Sequence, residues 1–228
     1  MTDLRAAFFD VDGTLVPANT WATLLAYPRL GRAAKRKVML RVLPVWLAGK
    51  LKLSNDDAFR QHWVRAVARL LRGWSRSETN ALFDWVAGEG MAGAFRADIV
   101  ARLKQHVERG DTVILVSGMY AELVAAFARQ VGARAGLGSA LVYDGDTCTG
   151  QVDGPGCIGP HKLTFIQQYL TANRLQPDWS AASAYADSYS DAPMLSAVGS
   201  PVATYPEPVL YQVAKSKGWE IIGGAPAS

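Results

Sequence analysis

The sequence predicts an α/β protein: a doubly wound, mostly parallel sheet with an all-helical cap inserted after the first strand. Three observations carry that expectation. A short apolar run, Ala6 to Phe9, leads directly into two carboxylates and a glycine turn, Asp10-Val11-Asp12-Gly13-Thr14. The next seventy residues hold apolar positions only at helical spacing, with no alternating Val/Ile/Thr run. From about residue 91 short β-branched or apolar runs alternate with amphipathic stretches, the pattern of strands covered by helices on both faces. The expected division is therefore 1–16 with 91–228 as the α/β core, and 17–90 as the cap.

Each element has a local reason. Residues 6–10 read as a buried strand, because the run is apolar without alternation. In the cap, Trp21, Leu24 and Leu25 begin an apolar stripe. Val38, Leu40, Val42 and Leu43 follow in a basic amphipathic stretch that Pro44 is expected to interrupt. Phe59, Trp63, Val67, Leu70 and Leu71 recur at helical spacing, and Ser77 with Leu82 and Val86 suggests another capped helix. Ile99 to Val107 is a helix closed by Gly110, and Thr112 to Val116 a strand ending at Ser117-Gly118. Tyr120 to Val131 is a helix with Gly132 just beyond it. Leu141 to Tyr143 and Cys148 to Val152 pair as a hairpin around Asp144-Gly145-Asp146. Leu163 to Asn173 is a helix, Ala182 to Ala186 a strand ending at Asp187, Pro193 to Val198 a short helix, and Pro201 to Thr204 a strand. The Gly223 to Ser228 tail reads as mobile.

Composition excludes several classes. Half of the 228 residues are apolar, which is globular rather than disordered. No run approaches the roughly 20 apolar residues that span a bilayer. Without a signal-peptide pattern at Met1 to Arg5, the expected location is cytoplasmic, where Cys148 and Cys157 stay reduced. The net charge of +4 is unevenly placed. Between Asp12 and Asp56 there is no acid, while Arg29, Arg32, Lys35, Arg36, Lys37, Arg41, Lys50 and Lys52 all fall in that span. The bland reading is a solvated helix face; the sharper one is peripheral contact with an anionic membrane, aided by Leu43, Val45, Trp46 and Leu47. No nucleic-acid motif accompanies the basic run, so nucleic acid is not an expected partner. The tryptophans read mostly as packing residues; Trp21, Trp46, Trp63 and Trp85 lie in the cap, and one of them is a candidate to line the substrate pocket. His161 reads as a loop residue, and His62 and His106 as surface or helix-packing ones.

Four separated signals converge on one crevice at the sheet's carboxyl edge. Asp10 and Asp12 end the first strand, Ser117-Gly118 the second, and Asp187-Ser188-Tyr189-Ser190-Asp191 follows a third. Lys162 opens a helix. Open α/β sheets bind ligands at such strand ends. One acid of the first pair can attack while the other handles a proton, and a hard divalent cation can bridge them to a phosphate.

In this order the four signals resemble the motifs of the haloacid dehalogenase superfamily, whose core is Rossmann-like. The resemblance covers essentially the whole chain. The helical insertion, the run Ala184-Tyr185-Ala186-Asp187-Ser188-Tyr189-Ser190-Asp191-Ala192-Pro193-Met194-Leu195 and the closing stretch from Pro201 to Ile222 look like the phosphoserine-phosphatase-like subgroup. The resemblance implies a magnesium-dependent phosphatase acting on a small phosphomonoester. Asp10 is then the nucleophile that forms an aspartyl-phosphate, and Asp12 the general acid and later base. Ser117, Gly118 and Lys162 bind phosphate. The metal ligands are Asp10, Asp12 through its backbone carbonyl, and Asp187, with Asp191 supporting. Phosphoserine phosphatases hold the substrate ammonium with a glutamate shortly after the first motif. The run Leu15 to Trp21 has no acid, which points to a substrate other than phosphoserine, with Asn19 or Thr20 free to bind a neutral polar group. Two alternatives are a peripheral lipid-phosphate phosphatase using the basic cap and a non-catalytic phosphate-binding scaffold.

Overall fold

A computed structural model describes residues 4–17, 20–50 and 56–225, with the side chains of residues 34, 45–50 and 56 outside the description. The expectations for Asn19, for the side chains of Val45, Trp46 and Leu47, for the Lys52 end of the basic stretch and for the tail's last three residues fall outside it.

The sheet is parallel and six-stranded, in the order β3-β2-β1-β6-β7-β8. Its strands are β1 (Ala6–Phe9), β2 (Thr112–Tyr120), β3 (Ala135–Ser139), β6 (Ser183–Ala186), β7 (Ser200–Thr204) and β8 (Glu220–Ile222). Between β3 and β6, β4 (Leu141–Asp144) and β5 (Thr147–Val152) form the expected antiparallel hairpin. β1 lies between β2 and β6, in register Phe8 to Ile114 and Phe8 to Ala184. Side chains alternate across a strand, so both faces of β1 are buried separately. Ala6 and Phe8 enter one core with Ile114, Val116 and Ala184, while Ala7 and Phe9 enter the other with Val113 and Leu115.

That second core continues without a break into the helical segment, reaching Leu24, Val64, Leu71 and Phe83. The segment comprises α1 (Thr20–Ala26), α2 (Arg32–Lys50), α3 (Asp56–Ala68) and α4 (Arg76–Ala87). Buried Tyr120, at the end of β2, donates its hydroxyl to the Val64 carbonyl at 2.8 Å, and Trp21 meets its ring edge-on at 5.3 Å. α1 and α3 are thereby seated over the sheet's carboxyl edge. The β4–β5 hairpin also joins the helical side. Gly73 and Arg76 donate backbone N–H groups to Cys148 and Asp146, and Cys148 returns one to Trp74.

Several local expectations shift. Pro44 sits inside α2 rather than ending it, since Val38 and Val42 are buried in the core and hold the helix through the missing hydrogen bond. The cap of α4 is Ser75, not Ser77. Ser75 and Glu78 exchange side-chain and backbone bonds at 3.1 and 3.0 Å in a capping box. β2 runs past Ser117-Gly118 to Tyr120, but its register with β3 slips between Val116 and Tyr120. Two strands and a helix go beyond the expected set: β3, β8 and α9 (Pro208–Lys217). The other helices are α5 (Ala97–Glu108), α6 (Ala121–Val131), α7 (His161–Ala172) and α8 (Ala192–Ser196).

Both cysteines are free and buried. Burial pushes the Cys157 thiol up to about 12. His106 is a core residue, bonded to Asp111 at 2.7 Å and to the Tyr185 hydroxyl at 2.8 Å. Among the described residues no helix is long and apolar enough to cross a membrane.

Candidate active site

All seven candidate residues line one cavity of about 560 Å³ at the carboxyl edge of the sheet. The Asp10 N–H donates to the Tyr185 carbonyl, carrying the β1–β6 pairing one residue past the strand. A tight loop follows, with Gly13 N–H bonded to Val16 O and Val16 N–H to Val11 O. Gly13 has φ +88°, and a Cβ there would lie 2.0 Å from Asp187 Oδ2. The missing side chain is what lets Asp187 stand beside this loop.

Lys162 reaches the cavity from the first turn of α7. Its ammonium donates to Asp10 Oδ1 at 2.5 Å and to Asp191 Oδ2 at 2.7 Å, with all three side chains buried. Burial alone would lower the lysine's affinity for its proton, but the charges of Asp10 and Asp191 reverse this and raise it above the ordinary value. Asp187 Oδ1 accepts from the Thr14 hydroxyl at 3.5 Å. Burial, then the charges of Asp10 and Asp191, push the Asp187 carboxyl up to about 8. Burial raises Asp191 to about 6 against the pull of Lys162.

Carboxylate oxygens of Asp10, Asp187 and Asp191 lie within 4.8 Å of one another. Of these three acids Lys162 pairs with Asp10 and Asp191 and leaves Asp187 without a cation in contact, and the buried Asp191 Oδ1 has no hydrogen-bond partner among the described residues. An all-oxygen donor set with surplus negative charge and an unsatisfied acceptor fits a hard divalent cation.

Asp12 stands apart from the lysine. Thr20 opens α1 and donates both its hydroxyl and, at 3.2 Å, its backbone N–H to Asp12 Oδ1. Burial nevertheless raises Asp12 to about 6, opposed by the Thr20 hydroxyl and aided by the Asp10 charge. It is thus poised to hold or release a proton near neutrality. Ser117 is buried at the register slip of β2, and Gly118 lies against Ile158, where a Cβ would come within 2.9 Å of Cγ1.

The sequence reading missed the contribution of α3. Arg60 donates to the Ser190 hydroxyl at 2.8 Å and the Ser188 hydroxyl at 3.4 Å, on the loop between Asp187 and Asp191. Gln61 clamps Gly156 through both its backbone groups, and Arg65 donates to Gly154 O. Their spacing beside the Phe59 and Trp63 stripe marks one helix face, the only signal of them in the sequence. Trp21 and Trp63 line the cavity as well as packing, whereas Trp85 packs against Tyr27 away from it. Thr20 serves Asp12 rather than standing free for substrate.

The haloacid dehalogenase-like hydrolase profile matches residues 7–196. The chain belongs to this family. Phosphoserine phosphatase SerB1 of Mycobacterium tuberculosis is 30% identical over 223 residues, covering 95% of this chain and 70% of that protein. Among solved structures, a protein of unknown function from Bordetella pertussis Tohama I matches with a TM-score of 0.79 and 26% identity, covering 97% of this chain and 99% of that one. A phosphoserine phosphatase solved as a phospho-aspartyl intermediate analogue shares the fold, with a TM-score of 0.62, 17% identity and 99% and 96% of the two chains covered. Within the family the chain falls in the phosphoserine-phosphatase-like subgroup, and it is a phosphoric monoester hydrolase.

Proposed function

We propose that this hydrolase cleaves a small phosphomonoester other than phosphoserine through a phosphorylated Asp10, with Mg²⁺ as cofactor and the helical segment 17–90 as a cap over the site. The observation that carries the reading is the meeting of Asp10, Lys162, Asp187 and Asp191 within one buried cluster.

In this reading an Asp10 carboxylate oxygen attacks phosphorus, and the bond from phosphorus to the ester oxygen breaks. Asp12, held as the acid by its raised affinity for a proton, protonates the leaving alkoxide. The resulting Asp12 carboxylate then takes a proton from water, whose oxygen attacks the acyl phosphate and frees Asp10 and inorganic phosphate. Lys162 offsets the charge of Asp10 and of the entering phosphate. The Ser117 hydroxyl and the Gly118 N–H donate to phosphate oxygens. Asp10, Asp187 and the Asp12 backbone carbonyl would hold Mg²⁺, with Asp191 behind them. When bound, the ion screens repulsion between nucleophile and phosphate and aligns the two.

The relative's name points to phosphoserine, but the run Leu15 to Trp21 offers no acid to an ammonium. The test is magnesium-dependent phosphate release from p-nitrophenyl phosphate, abolished in Asp10→Asn. Wild-type protein inert across a broad phosphomonoester panel would favour a phosphate-binding scaffold.

A second reading, peripheral lipid-phosphate hydrolysis, rests on α2. It exposes Met39, Leu40 and Leu43 among Lys35, Arg36, Lys37 and Arg41, an apolar and cationic mixture suited to anionic lipid. Co-sedimentation with anionic vesicles at low salt supports it; no binding removes it.

A further inference from the structure

The cavity has two chemically different ends. Its floor is polar and charged, and every acid that lines it belongs to the group Asp10, Asp12, Asp187 and Asp191. Its outer wall is apolar: Pro17, Trp21, Phe59, Trp63, Met119 and Ile158. Trp21 and Phe59 both meet Trp63 at ring-centroid distances of 6.3 Å, the first edge-on and the second stacked. The three rings are only partly buried, so aromatic surface is left facing the cavity. The wall begins next to the phosphate station, because Ile158 packs directly on Gly118. Arg60 is the cation on this side, and its guanidinium is turned to Ser188 and Ser190, toward the carboxylate floor. Among the residues that line it the wall therefore offers no carboxylate to an ammonium, Asp57 standing behind Gly159 rather than on the lining, and its arginine is already engaged at the phosphoryl end.

We infer that the alcohol released by this enzyme is uncharged and predominantly apolar, an aryl or alkyl alcohol whose body lies against Trp21, Phe59 and Trp63. The inference rests on the proposed hydrolysis at Asp10 and specifies its substrate class. An apolar body gains by leaving water against such a wall, and a flat ring also gains from stacking. A zwitterionic amino acid would lose hydration at both charges and find no partner for its ammonium. The wall is thus a filter on the alcohol, while the phosphate, common to all substrates, is read by the floor.

The experiment measures kcat/KM for benzyl phosphate, hexyl phosphate, O-phosphoserine and O-phosphoethanolamine, all esters of poor leaving groups. The two apolar esters should exceed the two amines by about tenfold or more, the size of selectivity an apolar pocket gives. Benzyl above hexyl identifies an aryl alcohol, and hexyl above benzyl an alkyl or lipid one; either supports the inference. Phosphoserine equal to or better than both overturns it. Trp63→Ala should collapse the ratio of benzyl to phosphoserine turnover, and Trp63→Phe, which keeps a ring, should restore most of it. An unchanged ratio in a folded Trp63→Ala variant also overturns the inference. Binding separates this outcome from failure of the hydrolytic reading. Tryptophan fluorescence titrations with 2-phenylethylphosphonate and 2-amino-4-phosphonobutanoate need no turnover. Tighter binding of the phenyl compound upholds the wall's chemistry even if no ester is cleaved, and equal binding refutes it.

Discussion

Replacing Lys162 with methionine takes the ammonium out of a nest of carboxylates at nearly constant volume. At an effective dielectric of about 20, each contact of this length is worth about 6 kcal/mol before desolvation. The lysine touches two acids, at 2.5 and 2.7 Å. Burying three charged groups consumes most of that gain, and removing one partner of such a buried arrangement costs about 3–5 kcal/mol. For a chain of this size, the corresponding fall in melting temperature is roughly 6–20 °C. The loss should depend on pH. Lys162 lowers the proton affinity of Asp187 and Asp191, which burial has already raised to about 8 and about 6. Without it, the folded chain holds protons that the unfolded chain releases near pH 4, so the variant loses stability as pH rises through the raised values. The gap from the parent is widest near pH 8 and narrow near pH 5. Thermal melts in EDTA at both pH values measure it, and millimolar Mg²⁺ should narrow the gap at pH 8 by supplying a cation. A gap under about 3 °C at pH 8, or one that widens toward pH 5, refutes the electrostatic account.

Asp12, raised to about 6, must be protonated to serve a poor leaving group, so alkyl phosphate turnover should fall as pH climbs above that value while p-nitrophenyl phosphate declines less. Identical alkaline limbs for the two esters would remove Asp12 as the acid. Gly13→Ala would drive a Cβ to within 2.0 Å of Asp187 Oδ2 and should weaken Mg²⁺ activation about tenfold or more, read from the Mg²⁺ concentration for half-maximal rate. Unchanged activation would mean that the Gly13 loop and Asp187 move apart freely. His106 has its proton affinity lowered by burial despite Asp111, so its ring should titrate below 6.5 by proton NMR. The folded form resists that proton, so its contribution to stability is full above 6.5 and lost on acidification; a midpoint at or above 6.5 contradicts this.

Three stations of the candidate site were legible because each lies where a short apolar run stops. Phe8 and Phe9 locate Asp10, Val113 to Val116 locate Ser117, and Ala184 to Ala186 locate Asp187. A parallel sheet brings those ends to one edge whatever the intervening helices do. β3 was not legible, because Ala135-Gly136-Leu137-Gly138-Ser139 carries two residues that weaken strands. Its glycines are there for α6. A Cβ at Gly136 would lie 2.4 Å from the Val124 backbone, and one at Gly138 would lie 2.8 Å from Ala121 N, at the start of α6. Close helix-on-strand approach looks like a loop when only residue types are read. α9 had usable signals, with Pro208 in its first turn and Gly218 in a left-handed conformation just past its end.

The apolar period of α3 showed which residues would be buried but not what the polar residues beside them would face. Arg60, Gln61 and Arg65 belong to no motif, yet they bind the 188–190 and 154–156 loops. The difference lies in where the helix is seated. Its height is fixed by the Tyr120 bond to Val64 and by Trp21 wedged between Trp63 and Tyr120. The seat puts the polar edge of α3 against loops from the far end of the chain and turns its aromatic edge into the cavity. Under the proposed function, the reaction is written at strand ends and the choice of alcohol at a contact between helix and loops. A substitution that moves α3 without touching the carboxylate floor should therefore alter which ester is preferred before it alters how the phosphorus is attacked.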